Sequence, residues 1–202
     1  MEPFDVRREH LLQAAARAFA ERGFHRTSMR DLSRASGMSL AGMYHYVKGK
    51  EDLLYQIQRA CFEQVLAGAA SAVAGGAGPT ERLAAFIRHH VTFFASHMAE
   101  MKVLSHEAES LTGEAHEEVR GLKRRYVDLC LGLLADLEGR RSGAHVDRHI
   151  AAYALFGMMN WIYTWYDPKG PVGGRALSDA ICGLFLNGYD SGTQLDCLEE
   201  ER

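Results

Sequence analysis

Proline is scarce in this chain, four residues in 202, so little in the sequence interrupts helices. Cysteine is scarce too. Cys61, Cys130, Cys182 and Cys197 lie far apart and form no Cys-x-x-Cys pair. That spacing argues against a zinc ribbon or a dense disulfide framework and reads as core thiols of a cytoplasmic protein. Long apolar runs are missing. The longest, Ile150 to Tyr166, has 17 residues broken by Gly157, Asn160 and Thr164. A membrane span needs about 20, so the run reads as a buried helix and no membrane is expected as a partner. The opening Met-Glu-Pro-Phe-Asp-Val-Arg-Arg lacks the apolar core of a secretory signal. No Gly-x-Ser-x-Gly elbow or glycine-rich phosphate loop occurs. With no nucleophile, base and oxyanion group to assemble, an enzyme is the weakest reading.

Apolar residues make up 47% of the chain and charged residues 24%. This composition buries a sizeable core, and abundant Ala, Leu, Glu and Arg point to a mostly helical protein; the segments read along the chain make an all-α fold of about nine helices. The net charge of −3 hides an asymmetry. Residues 1–50 hold nine Lys/Arg against five acids, a surplus of +4, and residues 51–202 carry −7. A basic head on an acidic body suggests that the head meets a polyanion. The chain divides accordingly into a head, residues 1–50, and a body, residues 51–202.

In the head, Leu12, Ala15, Ala16, Phe19 and Ala20 recur at helical spacing over Val6–Arg22, and Gly23 ends that helix. Thr27 or Ser28 caps a short second helix, with Asp31 in capping-box position. Gly37 supplies a turn, and Ser39 caps a third helix from Leu40 to about Val47. A long helix starts near Lys50-Glu51-Asp52. Two short helices around a glycine turn make a helix-turn-helix, whose second helix enters the major groove. Leu40, Ala41 and Gly42 allow close approach to bases, and Tyr44, His45 and Tyr46 offer polar groups to them. Arg30, Lys48 and Lys50 supply charge for phosphates, and Thr27, Ser28 and Ser39 stand at helix starts. One tyrosine of the cluster is expected to pack between helices, and Tyr44 is assigned part of that role.

The run Thr27-Ser28-Met29-Arg30-Asp31-Leu32, followed by Ala35-Ser36-Gly37-Met38-Ser39-Leu40-Ala41-Gly42-Met43-Tyr44-His45-Tyr46-Val47-Lys48-Gly49-Lys50-Glu51-Asp52-Leu53-Leu54, resembles the DNA-binding domain of TetR-family transcriptional regulators. The resemblance covers about residues 7–56. Val47 stands where an aromatic is common, and Asp31-Leu32-Ser33 replaces a more usual Ile-Ala pairing. The resemblance implies a homodimeric repressor on a palindromic double-stranded operator, with 1–50 as its DNA-binding domain and 51–202 for ligand binding and dimerisation, released by a small-molecule effector, with no cofactor and no metal.

The body reads as further helices: Asp52 to about Ala74; one capped by Thr80 with Phe86, Ile87, His90, Val91 and Phe94 inward; 102–110; Glu114–Gly139; Val146–Tyr166; and Leu177–Tyr189. In Glu114–Gly139 the inward residues are Val119, Leu122, Tyr126, Leu129, Leu133 and Leu137. The last two helices are apolar on more than one face, which predicts a two-fold dimer through them. Residues Asn160-Trp161 and Trp165-Tyr166 with Pro168 and Gly170 resemble the C-terminal part of TetR-type repressors that answer to acyl-CoA thioesters, as does Leu122-Lys123-Arg124-Arg125-Tyr126. An acyl group needs an apolar tunnel, for which Phe93, Phe94, Met98, Met101, Leu104, Met159 and Trp161 are candidates. Lys123, Arg124 and Arg125 would take the CoA phosphates. Alternatively, those cations pair with Glu117, Glu118 and Asp128 on their own helix. Two rival readings stand beside this one: a repressor of a multidrug efflux system with a non-CoA effector, and a helical lipid- or metal-binding protein. His106 with Glu109, and His145 with His149, have ligand spacing for the latter.

Overall fold

The computed structural model describes residues 4–76, 78–138 and 146–190, and these contain nine α-helices and no strand. Helix α1 runs Phe4–Arg22 and stops at Gly23, whose φ of +83° suits glycine. Helix α2, Met29–Ser36, begins in a complete capping box between Ser28 and Asp31 and ends at Gly37, φ +67°. Helix α3 is Leu40–Met43, capped by Ser39. Helix α4 spans Lys50–Ala74, α5 Pro79–Ser96, α6 Met98–His106 and α7 Gly113–Glu138. Helix α8, Arg148–Asn160, passes into a 3-10 turn at Trp161–Thr164, and α9 is Gly174–Asp190. No described helix is long and apolar enough to cross a membrane.

Several boundaries differ from expectation. Helix α3 is shorter, because beyond Met43 the chain tightens: His45 N–H donates to Gly42 and Tyr46 N–H to Met43, both three residues back. That tightening follows Gly42, a poor helix former, and lets Met43 and Val47 both stay buried. Helix α5 starts at Pro79, with Gly78 at the cap and Thr80 already inside. Helix α6 begins four residues before the expected 102. The apolar run from Val146 is not one helix. Its 3-10 turn buries Ile162 and leaves Trp161 and Trp165 outside. In α7 Leu129 is only half-buried, while Cys130 and Leu134 are in the core. Gly139, His145, Cys197 and the acidic stretch Glu199–Glu201 lie outside the described residues.

Two apolar clusters organise the helices. One, around Leu11, Leu32, Met43, Leu53 and Leu54, unites α1 to α3 with the first turns of α4. Val103, Leu111 and Val119 from the body join it, so the head does not end cleanly at residue 50. The second gathers Phe86, Ile87, Leu134, Leu155 and Met159 from α5, α7 and α8. Each such fully buried side chain stabilises the fold by about 1.5–3 kcal/mol relative to exposure. Helices α4 and α5 pack closely because Gly68 leaves room for the His89 ring, which a Cβ at that position would strike.

Candidate nucleic-acid interface and effector cavity

The helix-turn-helix sorts its residues into those that build it and those that it displays. Thr27 is buried, and its hydroxyl donates to the Gly23 carbonyl at 2.8 Å. Ser28 and Ser39 accept from Asp31 N–H and Gly42 N–H, each as a helix cap. The Ser28 hydroxyl and N–H in turn donate to the Asp31 carboxylate and, with Arg34 and Arg22 nearby, hold that carboxyl below its usual range. Lys50 reaches back to the Phe24 carbonyl at 3.1 Å and sits 4.4 Å above that ring. It is therefore a brace between α4 and the loop after α1, not an outward charge. The packed tyrosine is Tyr46, stacked 4.6 Å from Phe4, whereas Tyr44 is 55% exposed. The reason is register: with Met43 and Val47 inward, Tyr44 and His45 must point out. Arg30, Ala41, Tyr44, His45 and Lys48 are exposed, with Leu40 and Gly42 half-buried beside them.

The body holds a two-part cavity between α4, α5, α6, α7 and α8. The inner chamber has a volume of about 250 Å³ and includes Phe62, Phe94, Met101, Leu104, Tyr126 and Phe156 in its walls. It adjoins an outer cleft of about 500 Å³, with Phe62, Leu104, Lys123 and Tyr153 lining both. Arg120, Lys123 and Arg124 line the outer cleft from α7, with His116 and His149. Glu109 and Asp128 are the acids on its rim.

Of the tunnel residues named from sequence, Phe94, Met101 and Leu104 face the chamber. Phe93 and Met98 instead pack against the body core, Met159 is fully buried within it, and Trp161 is 61% exposed. Among the cations, Lys123 and Arg124 line the cleft and Arg125 does not. Helical periodicity explains this, since 120, 123, 124, 127 and 131 share one face of α7 and 125 is turned about 100° from 124. Arg120 belongs to the set although it stands outside the contiguous basic run. Glu117 pairs with Arg120, and Glu118 with Tyr55 and Arg59. Among the described residues Lys123, Arg124 and Arg125 form no ion pair, and Asp128 shares the cleft with Lys123 and Arg124.

His106 donates to or accepts from the Tyr163 hydroxyl at 3.0 Å. Among the described residues no three His, Cys, Asp or Glu side chains gather as metal ligands would. The buried thiols are held protonated, with Cys130 pushed up to about 12 by burial.

Cavity and head are joined through α6 and the loop that follows. Met101 and Leu104 line the chamber, while Val103 between them is buried in the head cluster. Glu107 accepts from Phe24 N–H at 3.2 Å, and its carbonyl accepts from the buried Gln58 amide at 2.9 Å. The Phe24 carbonyl, in turn, accepts from Lys50. These contacts tie α6 to the loop that leads into the helix-turn-helix. Gln58 and Glu107 were not legible as site residues. The only hint was a glutamine at a core position of α4.

The sequence model of bacterial regulatory proteins of the tetR family matches residues 11–57, and that of the tetracyclin repressor-like C-terminal domain matches 76–189. The transcriptional repressor KstR2 of Mycobacterium tuberculosis is 26% identical over 188 residues, covering 90% of this chain and 92% of its own. The fatty acid metabolism regulator protein of Bacillus subtilis is 24% identical over 182 residues, 88% of this chain and 93% of its own. Among solved structures, AibR in complex with isovaleryl coenzyme A and operator DNA has 31% identity and a TM-score of 0.76, over 88% of this chain and 97% of that one.

Proposed function

Because the chain belongs to the TetR family of bacterial regulatory proteins, we propose that it is a homodimeric repressor released from its operator by an acyl-CoA thioester. The family consists of DNA-binding transcriptional regulators and not of enzymes. The observation that carries the effector assignment is the two-part cavity: an apolar chamber opening beside a cleft with three cations on one helix face. An acyl group fits the first and the phosphates of CoA suit the second. AibR, which the chain resembles along nearly its whole length, binds isovaleryl coenzyme A.

In this reading residues 1–50 bind DNA and 51–202 bind effector and partner, in the cytoplasm where acyl-CoAs and the operator are found. Arg30, Leu40, Ala41, Gly42, Tyr44, His45 and Lys48 make the operator contacts. The dimer forms through α8 and α9, whose outer faces carry Ile150, Met158 and Leu184, the last 70% exposed. Two such heads reach successive major grooves. Release follows population shift: the effector favours one placement of α6, and its power equals its difference in affinity for the two states.

Titration of Arg120→Ala with Arg124→Ala tests the assignment. Charge-assisted hydrogen bonds contribute about 1.5–3 kcal/mol each, so acyl-CoA affinity should fall at least about tenfold. Arg125→Ala should leave it unchanged. Equal losses in both variants would remove the cleft as the CoA site. A repressor of an efflux system, with a neutral effector in the chamber, would show no loss in either variant.

A further inference from the structure

Two histidines line the outer cleft beside its cations. From α7, His116 shares the helix face of Arg120, Lys123 and Arg124 and stands one turn before the first of them. It is half-buried and forms no hydrogen bond or ion pair among the described residues. From the first turn of α8, His149 lines the cleft one turn before Tyr153. Its Nδ1 lies 3.7 Å from the Asp147 carboxylate, while the neighbouring Arg148 is bound to Glu138 at 2.7 Å. The other elements add little charge. Helix α4 contributes Gln58 and Phe62, α6 contributes Leu104, and the loop after α6 contributes Glu109. Asp128 is the acid that α7 itself brings.

The fixed charges of the cleft fall short of what a nucleotide carrier needs. Arg120, Lys123 and Arg124 stand against Glu109 and Asp128, a surplus of one positive charge. CoA brings about four negative charges, on a diphosphate and a terminal phosphomonoester. With both histidines protonated the cleft's surplus becomes three. Histidine is the side chain whose ordinary titration falls between about pH 5 and 8, and a phosphate nearby favours its charged form. Carboxyl, phenol, lysine and arginine groups ordinarily titrate outside that range. His90, in the inner chamber, is pushed down to about 3 by burial and stays neutral.

We infer that His116 and His149 bind the effector's phosphates together with Arg120, Lys123 and Arg124, and that they take up protons from solvent as they do so. The inference rests on the acyl-CoA reading, which places the nucleotide in the outer cleft. Binding of the effector is then linked to pH and tightens as pH falls. The sign is diagnostic. The terminal phosphomonoester of CoA titrates near 6, and fixed cations beside it push its residual proton off. A cleft working through its arginines and lysine alone would therefore release protons on binding, whereas one that charges two histidines takes them up.

Calorimetric titration of the intact protein with isovaleryl-CoA, octanoyl-CoA and benzoyl-CoA tests this, each at pH 7 in MOPS and in Tris. The two buffers differ in heat of ionisation, so the difference between the measured heats counts the protons exchanged. Uptake of about one proton per thioester bound is expected, with affinity about tenfold or more higher at pH 6 than at pH 8. The double variant His116→Gln with His149→Gln should abolish both effects and keep its pH 8 affinity within about twofold of wild type. Octanoyl-pantetheine, which lacks the nucleotide and its phosphates, should bind without uptake or not at all. The wild-type uptake decides the matter even where a variant fails to fold. Absence of uptake in the wild type, uptake that survives in the double variant, or equal uptake with octanoyl-pantetheine would each overturn the inference and leave the acyl-CoA reading standing. No binding by any of the three CoA thioesters would overturn both.

Discussion

Lys48 and Lys50 stand two positions apart and do opposite things. Lys48 is exposed at the end of the recognition turn, whereas Lys50 is held by the Phe24 carbonyl and ring. Lys48→Ala should therefore weaken binding to all DNA sequences alike and lower the slope of log affinity against log salt by about one, with stability unchanged. Lys50→Ala should cost about 1–2 kcal/mol of stability in denaturant titration, from a lost hydrogen bond and a lost cation–π contact. His90 has a different signature. Its folded value of about 3 lies below the ordinary ~6.5, so the unfolded chain takes up the proton first as pH falls. The stabilisation is complete above about pH 6.5 and is lost progressively down to about pH 3. Burial shifts His89 in the same direction. Between about pH 7 and pH 5, the wild type should lose about 2 kcal/mol more than His90→Phe, read from unfolding curves at each pH.

At the scale of elements, the turn between α2 and α3 depends on one backbone angle. Gly37 sits at φ +67° with open space around its Cα, so Gly37→Ala meets conformational strain and no clash. The expected loss is about 1–2 kcal/mol, accompanied by weaker operator binding as α3 loses its fixed angle to α2. The elements that were readable in the sequence are those whose signals are local. The Ser28–Asp31 capping box, Gly23, Gly37 and the inward face of α5 are written in neighbouring residues. What could not be read needed a second helix. That Lys50 is tied to Phe24, that Tyr46 packs while Tyr44 projects, and that Gln58 holds Glu107 depend on contacts between distant segments. The basic set was half legible. A contiguous run drew attention to Lys123, Arg124 and Arg125, yet a helix presents 120, 123 and 124 together. The break of α8 into a 3-10 turn was hidden because its apolar residues continue without a proline or a charge.

The whole molecule is a chain of contacts from cavity to head, doubled by a partner. Leu184 is 70% exposed in the protomer, so Leu184→Glu should leave the fold intact and yield monomers in sedimentation, with operator affinity greatly reduced. Within each protomer α6 contacts the chamber with Met101 and Leu104 and the head cluster with Val103. In the proposed mechanism a ligand that moves α6 acts on the head through these contacts. The measurement that bears most directly on this account is fluorescence anisotropy of the protein on DNA from upstream of its own gene, with acyl-CoAs added and free CoA and free acids as controls. Release by an acyl-CoA, and by neither control, is the predicted result. Tight binding to that DNA that no acyl-CoA disturbs would contradict it.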